Sequence, residues 1–300
     1  MIRVPAHVTG FFYPIIKDNP LESGSLGAGF SLTKYVYTEV KLNNDSKIRV
    51  FFNDKEVTDQ ACTSYVAAKE LLNYIGEKRG VIIKHKFEIP IGCGLASSGA
   101  GALGVVFGIN EELDIGLKRI ELAKFAHIAE VKCKTGLGSV IAQYDGMFEI
   151  RIKAGSPGLG VVLRFPVKEN VAILVYGEIE TKKILSSKNA LKRVKYAFGE
   201  KHLELLKNFS VENFCRLSRD FATQSGLLSE HLKYLLNKAS YLGLNGSMLM
   251  LGDGVFLFGE DLNKRVKKLL DQLDKNMRPR TIIFAEIDNY GVTQVDENDS

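Results

Sequence analysis

The chain has 300 residues, with 40 Lys+Arg against 35 Asp+Glu and a formal net charge of +5; 45% of residues are hydrophobic and 25% charged. These are ordinary globular values, which exclude a disordered tail, a collagen-like chain and a supercharged nucleic-acid arm. At roughly 150 residues per domain, the length predicts one large domain or two ordinary ones.

Arg3–Val8 reads as a short strand ending at Thr9-Gly10. Phe30–Leu42, rich in Val, Tyr and Thr, and Lys47–Phe52 follow as strands, with a turn at Asn53-Asp54. From Gln60 to Lys78, Ala61, Tyr65, Ala68, Leu71, Leu72 and Ile75 fall at helical spacing, so a helix is expected, ended by Gly80. Val81–Ile89 alternates again as a strand, and Pro90 opens the glycine-rich stretch PIGCGLASSGAGALG. Ser97–Leu113 reads as a helix despite Gly99, Gly101 and Gly104. Each glycine costs about 1 kcal/mol in a helix interior, which a close approach by a ligand or another backbone would explain. Helices over Lys118–Val131 and Gly136–Tyr144 then precede strands Met147–Ile152 and Gly160–Phe165.

The strongest break in the middle of the chain is GSPGLG, Gly155–Gly160. A boundary there gives an N-terminal domain over 1–157, a C-terminal domain over 158–295 and a frayed acidic tail over 296–300. The second half reads as strand Val171–Tyr176, then helices Lys188–Lys207, Val211–Ser225 and Ser229–Leu242. Strands Ser247–Leu251 and Val255–Phe258 flank Gly252-Asp253-Gly254 as a hairpin turn, and helix Asp261–Lys275 and strand Thr281–Ile287 finish the chain. Strands and helices come in blocks rather than in strict alternation, so the class is α+β in two domains.

Cys62, Cys93, Cys133 and Cys215 are far apart and form no CxxC pair, so reduced thiols are expected rather than a zinc site or a disulfide framework. No apolar run has signal-peptide character or approaches the ~20 residues of a spanning helix, so a cytoplasmic protein with no membrane association is expected. Basic clusters at Lys188–Lys195 and Lys264–Lys268 read as solvated helix faces. No aromatics interleave with them, so no nucleic-acid partner is expected, and an anionic small molecule suits the charge.

The glycine-rich stretch is the most informative segment. It sits between a strand and a helix, where glycines let backbone N–H groups turn toward an anion and the helix N-terminus adds partial positive charge. Ser97 and Ser98 place hydroxyls at the helix start. There is no Gly-Lys-Ser/Thr of a Walker A loop. A literal GxGxxG at Gly99, Gly101 and Gly104, with Glu121 about 20 residues on, lies inside the helix rather than at the first turn after the strand, so it fits a dinucleotide fingerprint poorly. His127 and Glu130 share a helix face by their spacing, which alone fits an ordinary core or surface pair as well as a site. Arg151, in FEIRIK, is an outward charge or an inward anion anchor according to which way the strand faces.

PIGCGLASSGA resembles the second motif of the GHMP kinases, the superfamily of galactokinase, homoserine, mevalonate and phosphomevalonate kinases. The resemblance implies a two-domain fold, with an N-terminal domain like ribosomal protein S5 domain 2 and a C-terminal ferredoxin-like α/β sandwich. It also implies ATP as phosphoryl donor, wrapped by Pro90, Gly92, Gly94, Leu95, Ala96, Ser97, Ser98, Gly99 and Ala100, and Mg²⁺ held by Ser98 and Glu130. VPAHVTGFF resembles the first motif, with His7 at the usual basic position and His7 and Thr9 entering the substrate pocket. Together with SGSLGAG, TGLGSVIAQYDGMFEIR and GLNGSMLMLGDGVFLF it is similar to the archaeal branch that phosphorylates pantoate on the route to coenzyme A. That likeness implies pantoate as small-molecule substrate, met by Ser25, His127, Arg151 and Thr181, and it allows a homodimer.

Where most relatives carry an Asp base, this chain has Ser139, which cannot act as a carboxylate base. Asp145, six residues on, points elsewhere if the helix continues. The third motif appears as Gly243–Ser247, either a support for the phosphate loop or a plain tight turn. Two other readings stay open: a kinase of the same fold for another hydroxy acid or alcohol, and a nucleotide-binding regulator without turnover.

Overall fold

The computed structural model describes residues 1–178 and 188–296. The first sheet is built on β1 (Ile2–Ile15) and the 20-residue β2 (Gly24–Asn43), which pair antiparallel over most of their length. β2 is long enough to serve two more partners. Its second half, from Val36 to Asn43, pairs β5 (Gly80–Phe87), and Gly27–Phe30 pair β6 (Phe148–Lys153). β3 (Arg49–Phe52) lies parallel to β5 and forms a hairpin with β4 (Lys55–Glu56) through Asn53 and Asp54, both at positive φ, as the turn signal predicts. β7 (Val161–Phe165) pairs β6, and β12 (Thr293–Gln294) closes the other edge beside β1.

Helices α1 (Cys62–Ile75), α2 (Ser97–Glu112) and α3 (Arg119–Cys133) pack together, with α2 buried against β1 and β2; the short α4 (Ser139–Gln143) follows. The glycines of α2 are the reason that it lies so close to its neighbours. A side chain at Gly104 would collide with Thr38, and one at Gly108 with Val40. Gly101 faces Ser64 and His85, which with Thr38 form a buried chain of hydrogen bonds (Ser64 Oγ–His85 Nε2 and Thr38 Oγ1–His85 Nδ1, both 2.9 Å). Burial lowers the His85 pKa to about 3, so the ring is neutral.

The second sheet holds β8 (Asn170–Glu178), β9 (Asn245–Met248), β10 (Gly252–Phe258) and β11 (Thr281–Glu286) in the antiparallel order β11-β8-β10-β9. Helices α5 (Lys188–Phe198), α6 (Lys201–Lys207), α7 (Val211–Ser225) and α8 (Glu230–Tyr241) lie between β8 and β9, and α9 (Leu262–Asp271) between β10 and β11. This is the expected ferredoxin-like βαββαβ arrangement. An aromatic cluster joins the two sheets: Phe30 meets Phe148, Phe214, Phe256 and Phe258 at ring distances of 5.2–5.8 Å.

Several expectations need correction. β1 does not stop at Thr9-Gly10; it bulges there and continues, because Gly10 is the contact where Phe214 and Ser218 of α7 press on the strand. GSPGLG is the loop of the β6–β7 hairpin, so the first sheet runs past the expected boundary at 157. The helix expected over Lys188–Lys207 breaks at Gly199, at φ +48°. Gly252–Gly254 belong to β10, and the turn before them is Leu249–Leu251, with Leu251 at φ +63°. Among the described residues no helix is long and apolar enough to cross a membrane.

The cysteine expectation fails for one pair. Cys62, first residue of α1, and Cys133, last of α3, form a disulfide, while Cys93 and Cys215 are free and buried. The two helices pack side by side, and 71 residues separate the partners, so no short spacing advertises the bond. Closing a loop of that length stabilises the fold by roughly 4 kcal/mol in the chain-entropy account. Cys62 is exposed, hence open to reductant. Dithiothreitol or Cys62→Ser should lower Tm by several degrees in a thermal melt; an unchanged Tm under both would contradict the staple.

Candidate active site

The loop from Pro90 to Ala96 runs from the end of β5 to the start of α2. Its backbone turns back three times into the left-handed region, at Gly92 (φ +78°), Gly94 (φ +79°) and Ala96 (φ +57°). Gly94 has no room for a side chain: a Cβ would lie 2.9 Å from Gly252 N and Met250 O. The Met250–Gly252 turn therefore floors the loop, whereas Gly243–Ser247 lies apart, Gly243 against Arg265 and Gly246 against Phe256. Gln143 on α4 fixes the loop's exit, its amide donating to Pro5 O (2.7 Å) and Ala96 O (3.1 Å). The first helical bond of α2 runs from Ala100 N to Ala96 O, and no side chain caps the helix. The N–H groups of Ser97, Ser98 and Gly99 are therefore left for an anion, with the helix dipole behind them.

Gly92, Gly94, Ala96, Ser97 and Ser98 form one wall of a cavity whose other walls are β1, β2, β6 and the loop from Thr135 to Ser139. Leu95 is 1% exposed and anchors the loop in the core, with its carbonyl accepting from His7 N. Gly99 and Ala100 are buried behind the wall, Gly99 against Gln143 and Ser139. Pro90 faces a second groove on the outer side of the loop, together with Asn53, Ile89, Tyr176 and Arg280.

Glu130 lies just beneath the phosphate wall, fully buried. Its Oε1 accepts from Ser98 Oγ (3.1 Å) and Ser139 Oγ (3.2 Å), and its Oε2 is buried without a partner. Burial raises its pKa to about 7, against the smaller downward pull of the two hydroxyls. No group of three or more His, Cys, Asp or Glu gathers as a metal cage among the described residues. A phosphate-held Mg²⁺ needs only one or two protein oxygens, so Ser98 and the unsatisfied carboxylate oxygen fit such an ion.

A buried cation lines another wall of the cavity. Arg151 is 1% exposed, donates from Nη1 to Gly138 O (3.1 Å), and leaves Nε and Nη2 without hydrogen-bond partners. His7, Thr9, Ser25, Arg151 and Ser139 all line the cavity, so the structure gathers five expected site residues there. Gly138 lies against both Ser25 Oγ and the Arg151 guanidinium, and a Cβ would collide with either. Phe12, Pro14, Leu137 and Leu251 supply an apolar side.

Two of the residues expected to meet the substrate are not gathered. His127 is buried behind the wall; its Nε2–H donates to Ser23 O (2.9 Å), with Pro20 O at 3.1 Å, and it steadies the approach to Ser25 rather than meeting the cavity. Thr181 lies outside the described residues. Asp145 pairs with Arg164 (3.2 Å), 47% exposed and away from the cavity, and no Asp or Glu lines the cavity among the described residues. The sequence reading missed Glu149, fully buried between His7 and Arg151, although strand alternation puts it on the same face of β6 as Arg151. It also missed Gln143, which lies within TGLGSVIAQYDGMFEIR but has no chemistry that singles it out.

A two-sheet fold with a glycine loop leading into an uncapped helix beside a buried carboxylate defines a phosphotransferase of the GHMP class, and residues 63–146 match the family model for the GHMP kinase N-terminal domain. The chain is 34% identical to the pantoate kinase of Thermococcus kodakarensis over 90% of this chain and 91% of that one. It is 35% identical to the pantoate kinase of Methanocaldococcus jannaschii, over 84% and 90%. A solved structure described as a phosphotransferase related to the coenzyme A biosynthesis pathway superposes with a TM-score of 0.83 at 32% identity, covering 97% of both chains. A homoserine kinase from Cytophaga hutchinsonii, at 17% identity and a TM-score of 0.71, shares the fold. The chain belongs to the pantoate kinase family of the GHMP kinases.

Glu130 gives a test of the site in the empty protein. The unfolded carboxyl ionises near the ordinary glutamate value of 4.5, but the folded one near 7. Between these values the folded state binds the extra proton, so stability falls as pH rises; above about 7 a penalty on the order of 3 kcal/mol remains. Without metal or nucleotide, Glu130→Gln should therefore raise Tm at pH 8 and gain much less at pH 4.5. An equal gain at both pH values would contradict an ionisable buried carboxylate.

Proposed function

We propose that this protein transfers the γ-phosphoryl group of ATP to the 4-hydroxyl of pantoate, giving 4-phosphopantoate for coenzyme A biosynthesis. The observation that carries the reading is one cavity lined both by an uncapped helix N-terminus and by a buried, incompletely bonded arginine. The first suits phosphates and the second a carboxylate, so the site fits a small hydroxy acid held beside a nucleotide.

The adenosine moiety would lie in the outer groove beside Pro90, which leads its phosphates over Gly92 and Gly94 to the amides of Ser97–Gly99. Ser98 and Glu130 would hold Mg²⁺, which when bound neutralises charge on the phosphates. Arg151 takes the pantoate carboxylate on its free Nη2 edge, and Ser25 and Thr9 orient the hydroxyls. Phe12, Pro14 and Leu137 cover the two methyl groups. This arrangement turns the 4-hydroxyl toward the phosphate wall.

Catalysis here is positioning plus charge stabilisation, since among the described residues no Asp or Glu lines the cavity to take the proton. Ser139 donates its hydroxyl to Glu130 and so holds a ligand rather than serving as a base. The experiment that decides the activity is coupled ADP detection with purified protein, MgATP and pantoate. ATP binding without ADP release on pantoate or any other hydroxy acid would favour a regulator instead.

Two variants test the roles. Arg151→Ala should raise the pantoate KM at least about thirtyfold, matching the on the order of 2–4 kcal/mol of a lost charge-assisted pair, with the ATP KM within about twofold. Equal rises in both would point to a phosphate contact or a folding defect. Ser139→Ala should lower kcat by less than about tenfold, the effect of one neutral hydrogen bond. A loss above about a hundredfold would mean that Ser139 itself handles the proton.

A further inference from the structure

Glu149 stands at the centre of a buried charge cluster that the phosphoryl-transfer reading leaves unused. It is fully buried on β6, opposite Gly29 of β2 and two residues before Arg151 on the same strand face. One carboxylate oxygen, Oε1, accepts from His7 Nε2 on β1 at 3.2 Å. The other, Oε2, faces Arg151 Nε at 3.6 Å, an ion pair too long for a hydrogen bond.

We propose that Glu149 is the positioning residue of the substrate end of the cavity, holding His7 with one oxygen and the Arg151 guanidinium with the other so that each presents its remaining face to pantoate. This rests on the reading of Arg151 as the carboxylate anchor.

Three observations carry it. First, both cavity-lining partners, His7 and Arg151, are bound to the same carboxylate, and no other Asp or Glu pairs with either among the described residues. Second, the cluster is built as a half-finished network. Arg151 Nε and Nη2 and Glu149 Oε2 lack hydrogen-bond partners although all are buried. A buried ion pair left incomplete is a poor way to stabilise a fold, since an apolar pair of similar volume does as well. It is a good way to prepare a guanidinium for an incoming anion, because the ordering of the side chain is complete before the substrate arrives. Third, the guanidinium is seated by its surroundings: it packs so closely against the backbone of Gly138 and Gly27 that a side chain at either position would collide with it, which fixes its orientation.

The charges agree with this arrangement. Burial pushes the Glu149 carboxyl up, but Arg151 and His7 outweigh it and hold the group below the usual carboxylate range, so it stays ionised. Burial holds His7 neutral against the pull of Glu149. The cluster is thus one anion and one cation, and Arg151 keeps an unused donor edge for a second carboxylate.

The test is steady-state kinetics on Glu149→Gln, Arg151→Ala and the double variant, each with a thermal melt. Glu149→Gln should raise the pantoate KM at least about tenfold with the ATP KM within about twofold, and the double variant should match Arg151→Ala instead of multiplying the two effects. A pantoate KM unchanged in Glu149→Gln while Arg151→Ala raises it overturns the positioning role and leaves the anchor standing. No change in Arg151→Ala overturns the anchor itself. Multiplicative effects would show Glu149 acting by a route other than Arg151 and also overturn the proposal. If Glu149→Gln does not fold, Glu149→Asp keeps the charge on a shorter stem that cannot span both partners. It should show the same selective rise in pantoate KM. A wild-type pantoate KM in Glu149→Asp, or failure of both variants to fold, would mark Glu149 as a folding residue.

Discussion

The close seat of α2 on the first sheet is the constraint from which the site follows. Gly101, Gly104 and Gly108 let the helix approach β2 until Thr38 and Val40 touch its backbone. Each glycine costs about 1 kcal/mol of helix propensity, which the burial of the whole helix offsets. With any larger residue the helix would ride outward, and its N-terminus would no longer meet the loop whose reversals at Gly92, Gly94 and Ala96 aim backbone amides inward. The glycines that resemble a dinucleotide fingerprint are thus spent on packing, Gly104 against Thr38, Gly101 against Ser64 and His85, and Gly99 against Gln143 and Ser139 of α4.

From that seat the site divides by dielectric. Ser98 and Ser139 bracket Glu130 in a pocket dry enough to keep its pKa near 7, so the site holds an uncommitted carboxylate oxygen beside the phosphate wall. At the other end Arg151 and Glu149 are equally dry, but they compensate each other and remain ionised. A single buried carboxylate without a cation gains a proton, whereas one beside a guanidinium loses it. The same residue type is therefore held near neutrality at position 130 and ionised at position 149.

Much of this was legible in the sequence. Periodicity marked α2, α3 and α7 to within two residues, since each buries a continuous apolar or small-residue face, while α1 ends at Ile75, short of the expected Gly80. The phosphate loop was legible because glycines, serines and a following helix are all required by one chemistry. What stayed hidden depends on long-range contact. Gly10 looks like a strand terminator until Phe214 is seen against it. GSPGLG looks like a domain boundary because a hairpin loop and a linker use the same residues. Cys62 and Cys133 meet only when α1 and α3 pack. Glu149 was in view on the face of Arg151, but a charged residue on a strand reads as solvent-facing unless something shows that both faces are covered.

The serine at position 139 fits the same logic. In a site where the carboxylate at 130 lacks any cation of its own, a second carboxylate at 139 would face it across the 3.2 Å now spanned by a hydrogen bond. Two like charges so close in a dry pocket cannot both ionise, and one would hold a proton at neutral pH. A hydroxyl instead donates to Glu130 Oε1 and leaves Oε2 without a partner. Serine at this position thus puts a donor to Glu130 where an Asp would put a proton acceptor. On the proposed reading the hydroxyl of the substrate would then be activated by placement alone, and that placement would depend on Arg151.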